Sequence, residues 1–116
     1  MSDTEYILFF REKGVKIFGT YKSKSKYFIT EKNLSDKKMY HHPTIKPLNI
    51  IKTLIDNSSR ENDIVADFFV GSGTTAVASK ILNRHYIGFE INKQHYETSK
   101  KRLKEITEQG EIKLEI

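Results

Sequence analysis

In the stretch DFFVGSGTTAVA, residues 67–78, Asp67 precedes a turn made of Gly71, Ser72, Gly73, Thr74 and Thr75, and a second carboxylate, Glu90, follows in HYIGFEI. Glycines at such a turn let the backbone come close to a ligand, and an acid at the end of the next strand accepts hydrogen bonds from two ribose hydroxyls. GSGTTA fits the dinucleotide pattern G-x-G-x-x-A, with Glu90 at about the ~20-residue distance of a ribose-binding acid. One such match is a weak signal. Its physical content is common to several adenosine-containing cofactors, and it leaves open what the adenosine carries.

Asp67 narrows the choice. At the carboxyl end of its strand it faces the crevice where open α/β sheets bind ligands, and a carboxylate there repels a pyrophosphate but attracts an ammonium or sulfonium group. The expected ligand is an adenosine bearing positive charge, and S-adenosylmethionine fits. A nicotinamide dinucleotide is disfavoured on the same ground. A P-loop is excluded by spacing, because Ala76 and Val77 occupy the positions where Gly-Lys would follow Gly71. The bland alternative is a tight strand-to-helix turn with Asp67 and Glu90 merely solvated. Strand, turn, helix, strand and acid in that order weigh against it.

Positioning these groups requires a particular set of elements. DIVADFF reads as a strand, GSGTT as a turn, Thr74 to Leu82 as a helix, HYIGFEI as a second strand and Lys93 to about Gln109 as a second helix, the β-α-β-α order of a parallel sheet covered by helices. In that last helix Tyr96, Leu103 and Ile106 mark the expected buried side, Gly110 the stop, and EIKLEI an edge strand. Upstream, Pro47 suits a first helical turn, and Leu48, Ile51, Leu54 and Ile55 then share one face of a helix ending near Asn57. The apolar run from Tyr6 to Phe10, closed by charges and Gly14, predicts a buried strand. Between lies a segment in which Lys16, Lys22, Lys24, Lys26, Lys32, Lys37 and Lys38 interleave with Phe18, Tyr21, Tyr27, Phe28 and Tyr40, read as short strands and loops.

Composition sets the outer bounds. A chain of 116 residues with 37% hydrophobic content builds one modest core. The net charge of +5 suits a polyanionic partner. With no cysteine there are no disulfides, thiolate metal sites or cysteine nucleophiles. No apolar run is long enough to span a bilayer and MSDTEYILFF lacks the basic region of a signal peptide, so a cytoplasmic protein without membrane or metal partners is expected.

HPTIKP at 42–47, DFFVGSGTTAVA at 67–78 and IGFEIN at 87–92, in that order, resemble the C-terminal half of the amino-methylating DNA methyltransferases, the adenine-N6 and cytosine-N4 enzymes. The order is that of the circularly permuted group, in which the catalytic segment precedes the cofactor segment. EYILFFREKG also looks like the strand ahead of the family's target-recognition region. The resemblance implies a partial Rossmann-like α/β fold: a mostly parallel sheet, helices on both faces, and a short basic strand and loop region at the N-terminus. It divides one folding unit into a terminal strand with a target-recognition-like region at 1–41 and an S-adenosylmethionine-binding region at 42–116. Thr44, Lys46 and Pro47 would lie at the methionine end of the cofactor, with Lys46 on its carboxylate. Asp67, Phe68 and Gly71, Ser72, Gly73, Thr74 and Thr75 would surround the methionine and sulfonium, Glu90 the ribose hydroxyls, and Ile91 one face of the adenine. Lys22, Lys24 and Lys26 would contact DNA phosphates, whereas Phe18 and Phe28 read as core.

Two departures from the family pattern matter. Phe68 stands where the family has the proline of D-P-F, which frees a backbone N–H and relaxes the turn. The family's D/N/S-P-P-Y/F/W segment, which binds the target amino group and stacks on the flipped base, is missing, since Pro43 and Pro47 are the only prolines. The expectation is a cofactor-binding half, inactive alone, whether as a split subunit, a truncated product or a piece of a longer chain. It would associate with a complementary N-terminal chain or with itself, because an incomplete sheet exposes an edge and apolar faces. The alternative is a catalytically inactive module that binds cofactor, DNA or protein.

Overall fold

The computed structural model describes residues 6–19, 24 and 46–114. Helix α1 (Leu48–Ser58), strand β1 (Ile64–Asp67), helix α2 (Thr74–Ile81), strand β2 (His85–Gly88) and helix α3 (Lys93–Leu114) follow in chain order. The expected β-α-β-α succession is present, preceded by the expected helix. Pro47 sits at the N-cap of α1 in extended conformation, and its carbonyl accepts the first helical hydrogen bond from the Ile51 amide at 3.3 Å.

The strands pair in parallel, Ile64 opposite His85 and Asp67 opposite Gly88, so both deliver their carboxyl ends to the same edge of the molecule. Helix α2 supplies the crossover and the core. Ala76, Val77, Ala78 and Ser79 are all buried, and Ala78 and Ser79 have no exposed surface. These small side chains let β1 and β2 lie against α2 while α1 and α3 pack beside it. Arg84 closes the far end. Its buried guanidinium donates from Nε to Ser59 Oγ at 3.0 Å, from Nη1 to the Leu82 carbonyl at 2.7 Å and from Nη2 to the Ser59 carbonyl at 2.8 Å, stitching the end of α1 to the start of β2.

Three expectations are corrected. Tyr6 to Phe10 is neither strand nor buried: the segment has no regular structure and every side chain in it is exposed, from 56% at Phe9 to 89% at Tyr6. A strand needs a partner edge, and among the described residues β1 and β2 pair only with each other. Gly110 does not stop α3, and the start of the expected edge strand is helical instead, because the helix continues to Leu114. A glycine inside a helix costs only about 1 kcal/mol, and the Glu, Lys and Leu that follow favour helix. Tyr96 is exposed; the buried line of α3 runs through Ser99 and Arg102, with Leu103 and Ile106 half-buried.

The basic segment lies largely outside the described residues, Lys22, Lys26 and Phe28 included. Its described start shows Gly14 in a left-handed turn, with the Val15 amide donating to the Glu12 carbonyl at 3.2 Å. Phe18, half-buried, is tied to α1 through its amide, which donates to the Asn57 carbonyl at 2.7 Å, and the Arg60 guanidinium lies 5.0 Å over its ring. No described helix is long and apolar enough to cross a membrane.

Candidate cofactor site

The site is built where the two parallel strands end. Past β1 the chain runs through Phe68, Phe69 and Val70 into the glycine turn, and past β2 through Phe89 to Glu90 and Ile91. The ladder continues beyond the regular strands: the Phe89 amide donates to the Asp67 carbonyl and the Val70 amide to the Phe89 carbonyl, both at 3.0 Å. These bonds carry the pairing past Asp67 and Gly88 and bring Asp67 and Glu90 to the same edge. Phe68 and Phe89 stack beside them with ring centroids 5.5 Å apart. Ile91 is fully exposed, available to a flat apolar partner.

Glu90 is held from two sides. Its Oε2 accepts from the Gly71 amide at 2.9 Å and its Oε1 from the Asn92 amide at 2.8 Å. The Asn92 amide holds the Glu90 carboxyl below the usual glutamate range, with further contributions from the Gly71 amide, the nearby His95 and the Ile91 amide; partial burial opposes them. Each carboxylate oxygen can accept more than one hydrogen bond, so both retain capacity for ligand hydroxyls. Asp67 is oriented by its own loop, Oδ1 accepting from the Phe69 amide at 2.9 Å.

The turn takes its shape from its glycines. Gly71 (φ 56°) and Gly73 (φ 89°) are both left-handed. A Cβ at Gly73 would stand 2.6 Å from Ser99 Cβ and 3.0 Å from Ser99 Cα, so only glycine lets α3 approach this closely. Ser72 and Thr74 are buried, with their hydroxyls turned inward. Thr74 Oγ1 donates to the Lys46 carbonyl at 3.4 Å, which brings the segment Lys46–Pro47 against the turn. Lys46 itself is exposed, and Thr44 lies outside the described residues. Thr75 is half-buried and faces an open apolar groove of about 330 Å³ lined also by Ile51, Leu54, Ile55 and Val65, apart from Asp67 and Glu90. Of the three lysines read as phosphate contacts, Lys24 alone is described, as an exposed turn residue.

Arg102 was missed by sequence reasoning. Its buried Nη1 donates to the Ser72 carbonyl at 3.0 Å, to Ser72 Oγ at 3.3 Å and to Thr74 Oγ1 at 3.1 Å. The single available signal was an arginine three residues after Ser99, on the same side of a lysine-rich helix. Asn92 also went unmarked; its Oδ1 accepts from the His95 amide at 3.1 Å and opens α3. Among the described residues no group of acids or histidines is arranged to hold a metal ion.

A parallel βαβ unit with a glycine turn, an acid at the end of β1 and another past β2 defines a Rossmann-like protein of the kind that binds adenosine-containing cofactors. The DNA methylase family model of N6 and N4 methyltransferases matches residues 2–101, and the chain belongs to that family. The chain is 51% identical over 63 residues to the Type II methyltransferase M.HindIII of Haemophilus influenzae, a match covering 54% of this chain and 20% of the relative. Its identity to the Type II methyltransferase M2.MboI of Moraxella bovis is 43% over 72 residues, 62% of this chain and 26% of the relative. The crystal structure of an M1.HpyAVI–SAM complex superposes with a TM-score of 0.65 at 36% identity, over 80% of this chain and 46% of that one. The chain thus spans about a fifth to a quarter of the length of these curated relatives.

Proposed function

We propose that the chain is the S-adenosylmethionine-binding half of a DNA amino-methyltransferase acting on adenine N6 or cytosine N4. The observation that carries the reading is the pair Asp67 and Glu90 at adjacent parallel strand ends, with Glu90 hydrogen-bonded to the glycine turn. The solved M1.HpyAVI relative is a complex with the cofactor. In this reading Glu90 takes the ribose hydroxyls and Ile91 packs on the adenine. Asp67, Phe68 and the turn from Gly71 to Thr75 enclose the methionine end, where Ser72 and Thr74 contribute backbone groups because their hydroxyls face inward. Thr44, Lys46 and Pro47 complete that end. The cofactor supplies an electrophilic methyl group on a sulfonium, and the carboxylate of Asp67 favours the positive charge near it. Residues 42–116 form this region in the same reading, residues 1–41 hold a target-recognition-like region, and Lys22, Lys24 and Lys26 are its contacts to DNA phosphates.

Methyl transfer also needs a polar clamp on the target amino group and a flipped base. No Pro-Pro segment occurs in this sequence, so a complementary methyltransferase segment supplies that part and the chain alone does not turn over. Exposed Ile64, Phe69 and Ile87 support such an association. The same absence favours a second reading, a module that binds cofactor, DNA or protein without catalysis. Calorimetric titration with S-adenosylmethionine, using Asp67→Ala and Glu90→Ala as controls, tests the first. Binding lost in both variants is expected; a folded chain that does not bind leaves only the DNA or protein contacts of the second.

A further inference from the structure

Arg102 reaches the glycine turn from helix α3. One nitrogen, Nη1, donates to both residues that flank Gly73, through the Ser72 carbonyl, Ser72 Oγ and Thr74 Oγ1. Ser99, one helical turn earlier, presses on Gly73 itself. The hydroxyls of Ser72 and Thr74 are therefore engaged by the protein on the α3 side of the turn. The other end of the turn is held separately, with the Gly71 amide on Glu90. Arg102 lies one position past the segment matched by the family model.

We propose that Arg102 is the positioning residue for the methionine end of the cofactor, acting through Ser72 and Thr74, while Glu90 independently positions the ribose. The inference rests on the S-adenosylmethionine reading above. Two anchors on one turn predict that loss of Arg102 divides the ligand: affinity for the methionine-bearing cofactor falls, and affinity for adenosine alone is nearly kept. General loosening of the fold lowers both together.

The test uses the 116-residue chain, as wild type, Arg102→Lys and Arg102→Met. Each is titrated with S-adenosylmethionine and with adenosine, and its amide hydrogen exchange is recorded. Hydrogen bonds from a charged donor contribute about 1.5–3 kcal/mol. Arg102→Met is therefore expected to weaken S-adenosylmethionine by about tenfold or more and adenosine by less than about threefold, with Arg102→Lys between. Amides of Ser72 to Thr75 should exchange faster while those of β1 and β2 hold. Equal losses for both ligands, or unchanged exchange at the turn, overturn the proposal. If Arg102→Met does not fold, Arg102→Lys carries the same comparison. If the wild type takes neither ligand, the cofactor reading fails on its own, and exchange alone judges the clamp: acceleration confined to the turn supports it and unchanged turn amides overturn it.

Discussion

The Gly71 amide donates to Glu90 Oε2 across 2.9 Å, joining the loop after β1 to the loop after β2. A residue read as a ligand contact is thus also part of the frame of its own site. With the Asn92 amide on its other oxygen, Glu90 is a better acceptor folded than unfolded, which is why its carboxyl titrates lower in the native chain.

That relationship fixes a pH dependence. The folded value lies below the unfolded one, so the unfolded chain binds the proton more readily and stability rises with pH through this window. The contribution is fully present above the ordinary glutamate range and lost as pH falls through the folded value. Melting temperatures of wild type and Glu90→Gln, followed from roughly pH 6 to pH 3, should differ by a constant amount at the upper end and converge at the lower. A gap that stays constant throughout would remove Glu90 from the account.

Gly73→Ala meets two obstacles at once. The left-handed backbone costs an L-residue roughly 1–2 kcal/mol, and a methyl 2.6 Å from Ser99 Cβ forces α3 to shift. Overpacking of that kind costs about 1–3 kcal/mol, so a total loss of about 2–5 kcal/mol is expected. Adding Ser99→Gly removes the facing Cβ but not the strain in φ. The double variant should therefore melt higher than the sum of the single changes requires, despite about 1 kcal/mol for glycine in a helix. Strict additivity would mean that the approach of α3 is not what demands glycine here.

Arg84 separates packing from function. Truncation to methionine leaves the part-buried Leu82 and Ser59 carbonyls without this donor, and each bond so lost costs about 1 kcal/mol or more. Its ion pair with Asp56 is long at 3.4 Å, and Asp56 is 57% exposed, so Asp56→Asn should cost less than about 1 kcal/mol. Denaturant unfolding of both variants checks the order. A larger loss at Asp56 would contradict the view that Arg84 works through carbonyls.

What the sequence revealed depended on how local the signal was. β1, the glycine turn, α2 and β2 were legible because apolar runs, glycines and an acid follow one another within a short stretch, and α1 because Leu48, Ile51, Leu54 and Ile55 share one helical face. Arg102 was not: it meets Ser72 from 30 positions away, and no local pattern ties the two. Tyr6 to Phe10 misled for the converse reason. Its apolarity is that of a strand buried on both faces, but a strand is made by its neighbours. Gly110 carries a stop signal too weak to override the favourable residues on either side.

The open sheet leads to a last prediction. Ile64 and Ile87 point to one face, since Ile64 pairs with His85 and Ala66 with Ile87, and both isoleucines are exposed. Among the described residues β1 has only β2 as neighbour, and its other edge pairs with none of them beside this apolar face. The chain should self-associate as concentration rises. Ile64→Thr with Ile87→Thr keeps the preference for strand while removing apolar area. Burying such a side chain contributes about 1.5–3 kcal/mol, so the double variant should need at least about tenfold more protein to associate. Sedimentation velocity over a concentration series reads this directly. A wild-type chain that stays a compact monomer at the highest concentrations would show that the exposed sheet neither seeks nor needs a partner.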